Sequence, residues 1–121
     1  MNRTTLRWAM IIFTLITAAV HLFLGIASIP DPNNQMMGIL FVLNAIGYVV
    51  LLLGAVGKIP FLPVRLSHYL LIAFAAVTLA AYFIINGLDN FGPAAIVSKL
   101  SEVLLIVAAF MHLSATQSDA A

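Results

Sequence analysis

Four long apolar stretches, separated by short breaks rich in Pro, Gly, Asn and Asp, dominate this 121-residue chain. They fall at about 7–29, 36–56, 66–86 and 93–115, and each suffices to cross a bilayer, because a helix needs about 20 mostly apolar residues to span roughly 30 Å of hydrocarbon. The breaks read Pro30-Asp31-Pro32-Asn33-Asn34-Gln35, then Gly57-Lys58-Ile59-Pro60 with Pro63, then Gly87-Leu88-Asp89-Asn90-Phe91-Gly92. All three have turn chemistry. Pro93 stands where a first-turn proline belongs, with Asn90 as a nearby cap. Connections this short make each helix antiparallel to its sequence neighbour. The expected fold is an all-α integral membrane protein, with four transmembrane helices in an up-down-up-down bundle. Residues 1–121 form one membrane domain in this reading, with 116–121 a flexible polar tail.

Composition narrows the function classes. The chain is 64% hydrophobic and only 7% charged, against about 25% charged for a soluble domain. A net charge of +1 offers no basic surface to nucleic acid. The absence of cysteine excludes disulfides, thiolate metal sites and membrane thiol oxidoreductases. The first apolar stretch is about 22 residues, longer than the roughly 7–15 of a signal peptide, so it is expected to be retained. Arg3, Arg7, Lys58 and Arg65 all fall on the side shared by the termini and the second break. The opposite breaks carry only Asp31 and Asp89. By the positive-inside rule both termini are cytoplasmic, and Trp8 is placed as an interfacial anchor.

Polar residues inside the spans are the functional signal, because the bilayer selects against them. His21, Asn44, Thr78, Tyr82, Lys99 and Glu102 come from all four spans. At about 1.5 Å per residue, His21, Asn44, Thr78, Lys99 and Glu102 fall roughly 9–14 Å below the outer boundary. Thr14, Thr17, His21, Gly25 and Ser28 recur at helical spacing on the first span, and Ser98, Glu102 and Ala109 share a stripe on the fourth. Met37, Phe41, Asn44 and Tyr48 mark one face of the second span, and Thr78, Tyr82 and Asn86 one face of the third. The expectation is a single interior site formed by His21, Asn44, Lys99 and Glu102 and closed by Thr78 or Tyr82. A mid-span Lys or Glu costs about 2.5–3.5 kcal/mol, while each Leu, Ile, Val or Phe returns only about 0.3–0.6 kcal/mol. Lys99 and Glu102 must therefore be neutralised by each other, by a shift in pKa, or by partners such as His21 and Asn44. Such a pair serves either as a register-fixing ion pair or as a relay or ligand site. His68 and His112 share a depth near the cytoplasmic ends and are the candidates for flanking a haem edge.

Gly38 to Gly47, with Asn44, resembles a piece of the second span of small fluoride channels. Leu70–Ile85 lacks the Thr/Phe-rich broken segment that such channels need. Small multidrug transporters place their essential carboxylate in the first span, where this chain has only His21. Neither family is therefore assigned. No nucleophile has an evident base, so no catalytic residue is assigned, and no metal site either. The sequence reads as a non-catalytic accessory or assembly subunit of a larger membrane complex, with lipid and other membrane subunits as partners. Its polar, ionisable cluster would lie in the outer half of the bilayer. The alternatives are a proton-coupled small-solute transporter or channel acting as a homo-oligomer, with Glu102 exchanging protons, or a haem- or quinone-binding membrane subunit.

Overall fold

The computed structural model describes residues 2–87 and 92–120, with side chains described as far as Ala115. It holds four helices: α1 (Arg3–Ser28), α2 (Gln35–Ala55), α3 (Val64–Asn86) and α4 (Pro93–Ala120). Each is long and apolar enough to cross a membrane. The local chemistry sets the ends. Asn2 caps α1 by accepting the Thr5 backbone N–H at 2.8 Å. Beyond α1, the Asp31 carboxylate accepts the Asn33 backbone N–H at 3.0 Å and the Asn34 amide at 2.7 Å, which folds the first break back on itself. α2 ends in a Schellman motif: Lys58 N–H reaches the Leu53 carbonyl at 2.8 Å and Gly57 N–H the Gly54 carbonyl at 3.1 Å. Gly57 takes the left-handed φ of 80° that this motif requires. α4 begins at Pro93, as the sequence implies. Asp89 and Asn90, with the capping role expected of Asn90, lie outside the described residues.

α1 packs against α2 and α4, and α3 packs against the same two. The backbones of the diagonal pairs α1–α3 and α2–α4 do not approach one another among the described residues. The chain is thus a four-cornered antiparallel bundle, an integral multi-pass membrane protein whose interior is reached from all four helices. Lipid-facing positions are apolar, among them Phe23, Leu43, Ile46, Val77, Ile84 and Phe110. Without a hydrophobic drive between helices in lipid, close backbone packing takes over. At the α1–α2 crossing a Cβ on Gly25 would stand 2.8 Å from the Gly38 carbonyl oxygen, and one on Gly38 would stand 2.8 Å from that of Gly25. Only glycine admits that approach. The middle of the bundle is filled by Met10, Leu52, Leu71, Leu105 and a run of alanines. This apolar plug separates two polar regions, one toward the 29–34 turn and one toward the termini.

Candidate functional site

Glu102 is the centre of the first polar region and is completely buried. Its Oε1 accepts from Lys99 Nζ at 2.6 Å, one helical turn back on α4. Its Oε2 accepts from the Tyr48 hydroxyl at 2.6 Å and from the Thr17 hydroxyl at 3.1 Å. All three neighbours are donors, which is the complement of an ionised carboxylate. Tyr48, itself fully buried, is the long element of the set. The α2 and α4 backbones do not touch, and its phenol spans the bundle diagonal between them.

The remaining contacts follow from proton accounting. Thr17 gives its one hydroxyl hydrogen to Glu102, so Ser98 Oγ, 3.0 Å away, donates to Thr17 Oγ1. His21 Nδ1 lies 2.8 Å from the Thr17 carbonyl oxygen, which can only accept. That nitrogen therefore carries hydrogen, and in the neutral ring Nε2 is a bare acceptor. The His21 ring packs edge-on against Phe41 and tilts toward Tyr48. Lys99 Nζ also lies 5.0 Å from the centre of the Tyr82 ring, a cation–π distance.

The expected site residues therefore fall into three contacts. Lys99 and Glu102 touch directly. His21 is linked to Glu102 by hydrogen bonds through Thr17. Asn44 turns to Thr78, donating Nδ2–H to Thr78 Oγ1 at 3.0 Å, while the Thr78 hydroxyl bonds to the Phe74 carbonyl at 2.8 Å. Asn44 Oδ1 is left buried with no hydrogen-bond partner. Thr17, Tyr48 and Ser98 lie on the polar faces that the sequence shows, and the structure adds them to the site. The signal for Tyr48 was a phenol at mid-span on the Asn44 face, because a buried tyrosine hydroxyl needs a partner.

Above this floor lies a cavity of about 510 Å³, bordered by all four helices. His21, Asn44, Thr78, Tyr82, Ser98 and Lys99 contribute its polar edge, and Leu24, Met37, Phe41, Phe74 and Ala81 belong to its apolar wall. Leu40 and Leu43 of α2 and Val77 and Ile85 of α3 border it while also facing outward. The cavity is thus open along the α2–α3 side, and also toward the end of the bundle where Asn86 and Ala94 are exposed.

His68 and His112 form the second polar region. His68 Nδ1 donates to the Val64 carbonyl at 2.8 Å, which leaves Nε2 to accept from His112 Nδ1–H at 2.7 Å. The two ring planes differ by 13° with centres 5.0 Å apart, so the imidazoles meet edge to edge through this bond. Two metal–nitrogen bonds of about 2.0–2.1 Å each would set opposed ligands about 4 Å apart. The facing nitrogens are too close for a haem iron between them. A smaller cavity of about 360 Å³, with Arg3, Arg7 and His112 on its lining, lies at this end. Among the described residues no group of three or more His, Cys, Asp or Glu converges to hold a metal ion.

Residues 2–113 match DUF7475, described as a family of unknown function, and the chain belongs to that family. No curated protein and no solved structure matches it.

Proposed function

We propose, for this member of a family of unknown function, that the chain is a non-catalytic membrane subunit that holds a small, mainly apolar molecule in the cavity between α2 and α3. The cavity carries this reading. Its volume falls in the range of roughly 300–1,000 Å³ typical of ligand sites, and so does its plan of apolar walls with a few polar groups. Its open α2–α3 side suits a ligand arriving through the bilayer. The network beneath it supports a fixed floor more than a proton-exchanging carrier. Each Glu102 oxygen has a donor, and the Leu71–Leu105–Ala109 plug closes the interior below.

Arg3, Arg7, Lys58 and Arg65 gather at the end of the bundle that holds the termini and the α2–α3 turn. The positive-inside rule makes that end cytoplasmic, and the cavity and Glu102 then lie in the outer half of the bilayer. The outward apolar faces of the helices leave lipid and other membrane subunits, including further copies, as the partners within reach.

Two experiments test the reading. Ala81→Trp fills the cavity; organic extracts of wild-type and variant protein are compared by mass spectrometry after purification in mild detergent. The wild type is expected to yield an apolar molecule that the filled variant lacks, and identical extracts would defeat the ligand reading. For orientation, the cysteine-free chain accepts single reporters. Gln35→Cys should react with a membrane-impermeant maleimide on intact cells, and Lys58→Cys only after permeabilisation. The opposite pattern would invert the topology.

A further inference from the structure

The donors and acceptors on the cavity floor define a chemical complement, and the argument rests on the reading of the cavity as a ligand site. Asn44 lines the cavity, and its Oδ1 is an acceptor without a partner, buried just behind the wall so that a donor reaches it by parting the side chains over it. Its amide cannot turn away at no cost, because Nδ2 is held by Thr78 Oγ1, whose own hydrogen is committed to the Phe74 carbonyl. His21 borders the same space with Nδ1–H engaged by the Thr17 carbonyl, which makes its Nε2 the second acceptor. The charges nearby cancel: Lys99 borders the cavity, and its Nζ is paired with Glu102 Oε1 at 2.6 Å. An ammonium head placed there would face Lys99, and a carboxylate head would meet Lys99 only as a charge already neutralised by Glu102, which lies behind it and off the cavity wall. The surrounding wall is apolar, so a charged head would be desolvated without a free counter-ion.

We infer that the molecule held in this cavity is an uncharged lipophilic alcohol or phenol, whose hydroxyl donates to Asn44 Oδ1 or His21 Nε2. Its oxygen can in turn accept from the remaining Lys99 N–H groups, since an ammonium has three donors and one is used by Glu102. An alkane would leave Asn44 Oδ1 unsatisfied, and this is the source of selectivity.

The test uses the full chain in phosphatidylcholine nanodiscs, with calorimetric titration against empty nanodiscs to remove simple partitioning. Three probes share one body: 4-octylphenol, octylbenzene and 4-octylbenzoate. The phenol is expected to bind about tenfold more tightly than octylbenzene, the scale of one hydrogen bond to a buried acceptor. Asn44→Leu should narrow the gap between the two affinities, and Asn44→Leu combined with His21→Phe should close it. His21→Phe should narrow the gap, and it serves as the second variant if Asn44→Leu fails to fold. Equal binding of phenol and octylbenzene in the wild type, with both blocked by Ala81→Trp, overturns the hydroxyl assignment while the cavity reading stands. Tightest binding of the benzoate overturns the requirement for an uncharged head. A preference for phenol that survives Asn44→Leu combined with His21→Phe removes these residues as its acceptors. The absence of saturable binding by any probe defeats the cavity reading itself.

Discussion

Removing Lys99 or Glu102 singly, and then together, measures whether the buried pair is one unit. In Lys99→Met the stem volume is kept, but Glu102 retains its charge against two neutral hydroxyls in a place with no solvent access. In Glu102→Gln the side-chain oxygen still accepts from Tyr48 or Thr17, but the Lys99 ammonium faces an amide. Breaking a buried pair from one side costs about 3–5 kcal/mol. The lower end, about 3 kcal/mol, is expected for Glu102→Gln, because Lys99 Nζ borders the cavity and recovers some solvation there, and about 3–5 kcal/mol for Lys99→Met, which leaves Glu102 sealed. The double variant carries no buried charge and leaves a neutral amide among hydroxyls. Its loss should be about 1–2 kcal/mol, so the two single losses together exceed it by about 4 kcal/mol or more. The assay is reversible unfolding in mixed micelles, titrating a denaturing detergent and following helicity by circular dichroism. Additive losses, within about 0.5 kcal/mol, would refute the coupling. A silent Lys99→Met would show that another group balances Glu102.

Three further outcomes follow from the same geometry. Tyr48→Phe removes a 2.6 Å bond to a buried carboxylate and should cost about 1.5–3 kcal/mol, whereas the half-exposed Tyr69→Phe should stay within about 0.5 kcal/mol in the same unfolding assay. Gly25→Ala sets a methyl 2.8 Å from the Gly38 carbonyl oxygen and should cost about 1–3 kcal/mol by forcing α1 and α2 apart. Gly92→Ala, with none of the described residues within 4 Å of the added carbon, should be near neutral; equal losses would refute the close crossing. His112→Phe strands the buried Nε2 acceptor of His68 and should cost about 1–3 kcal/mol. Nitrogen NMR of labelled histidines should find hydrogen on His68 Nδ1, and hydrogen on Nε2 would reverse the direction of the bond.

The spans were legible because lipid imposes a simple rule: apolar residues for the length of a crossing, with turn residues between. Pro93 at the start of α4 and Gly57 at the end of α2 are where such rules place them. The Lys99–Glu102 pair was legible for a similar reason, since two opposite charges one turn apart in a bilayer have few other ways to be neutralised. Who completes the pair was not legible. Helical phase puts Asn44 and Tyr48 on one face, yet the longer phenol crosses the diagonal to Glu102 while the shorter amide stops at Thr78. Side-chain reach and the distance between helix axes decided that, and neither is written in periodicity. His68 and His112 show the same limit. Their common depth could be read from position, but the 2.7 Å bond between them depends on how closely α3 and α4 pack.

The split of the network between early and late parts of the chain bears on biogenesis. Thr17 and Tyr48 belong to α1 and α2, while Lys99 and Glu102 belong to α4, whose best window has a mean hydropathy of 2.0, the lowest of the four. Synthesis runs from the N-terminus, so the hydroxyls are in the membrane before the carboxylate is made. The least apolar helix therefore arrives at a receptor already assembled, and its retention depends on finding it. An α4 that misses its place carries two charges into lipid and is open to expulsion or to proteolysis. A substitution that removes the Thr17 or Tyr48 hydroxyl would thus be felt at the last step of insertion, in the retention of α4.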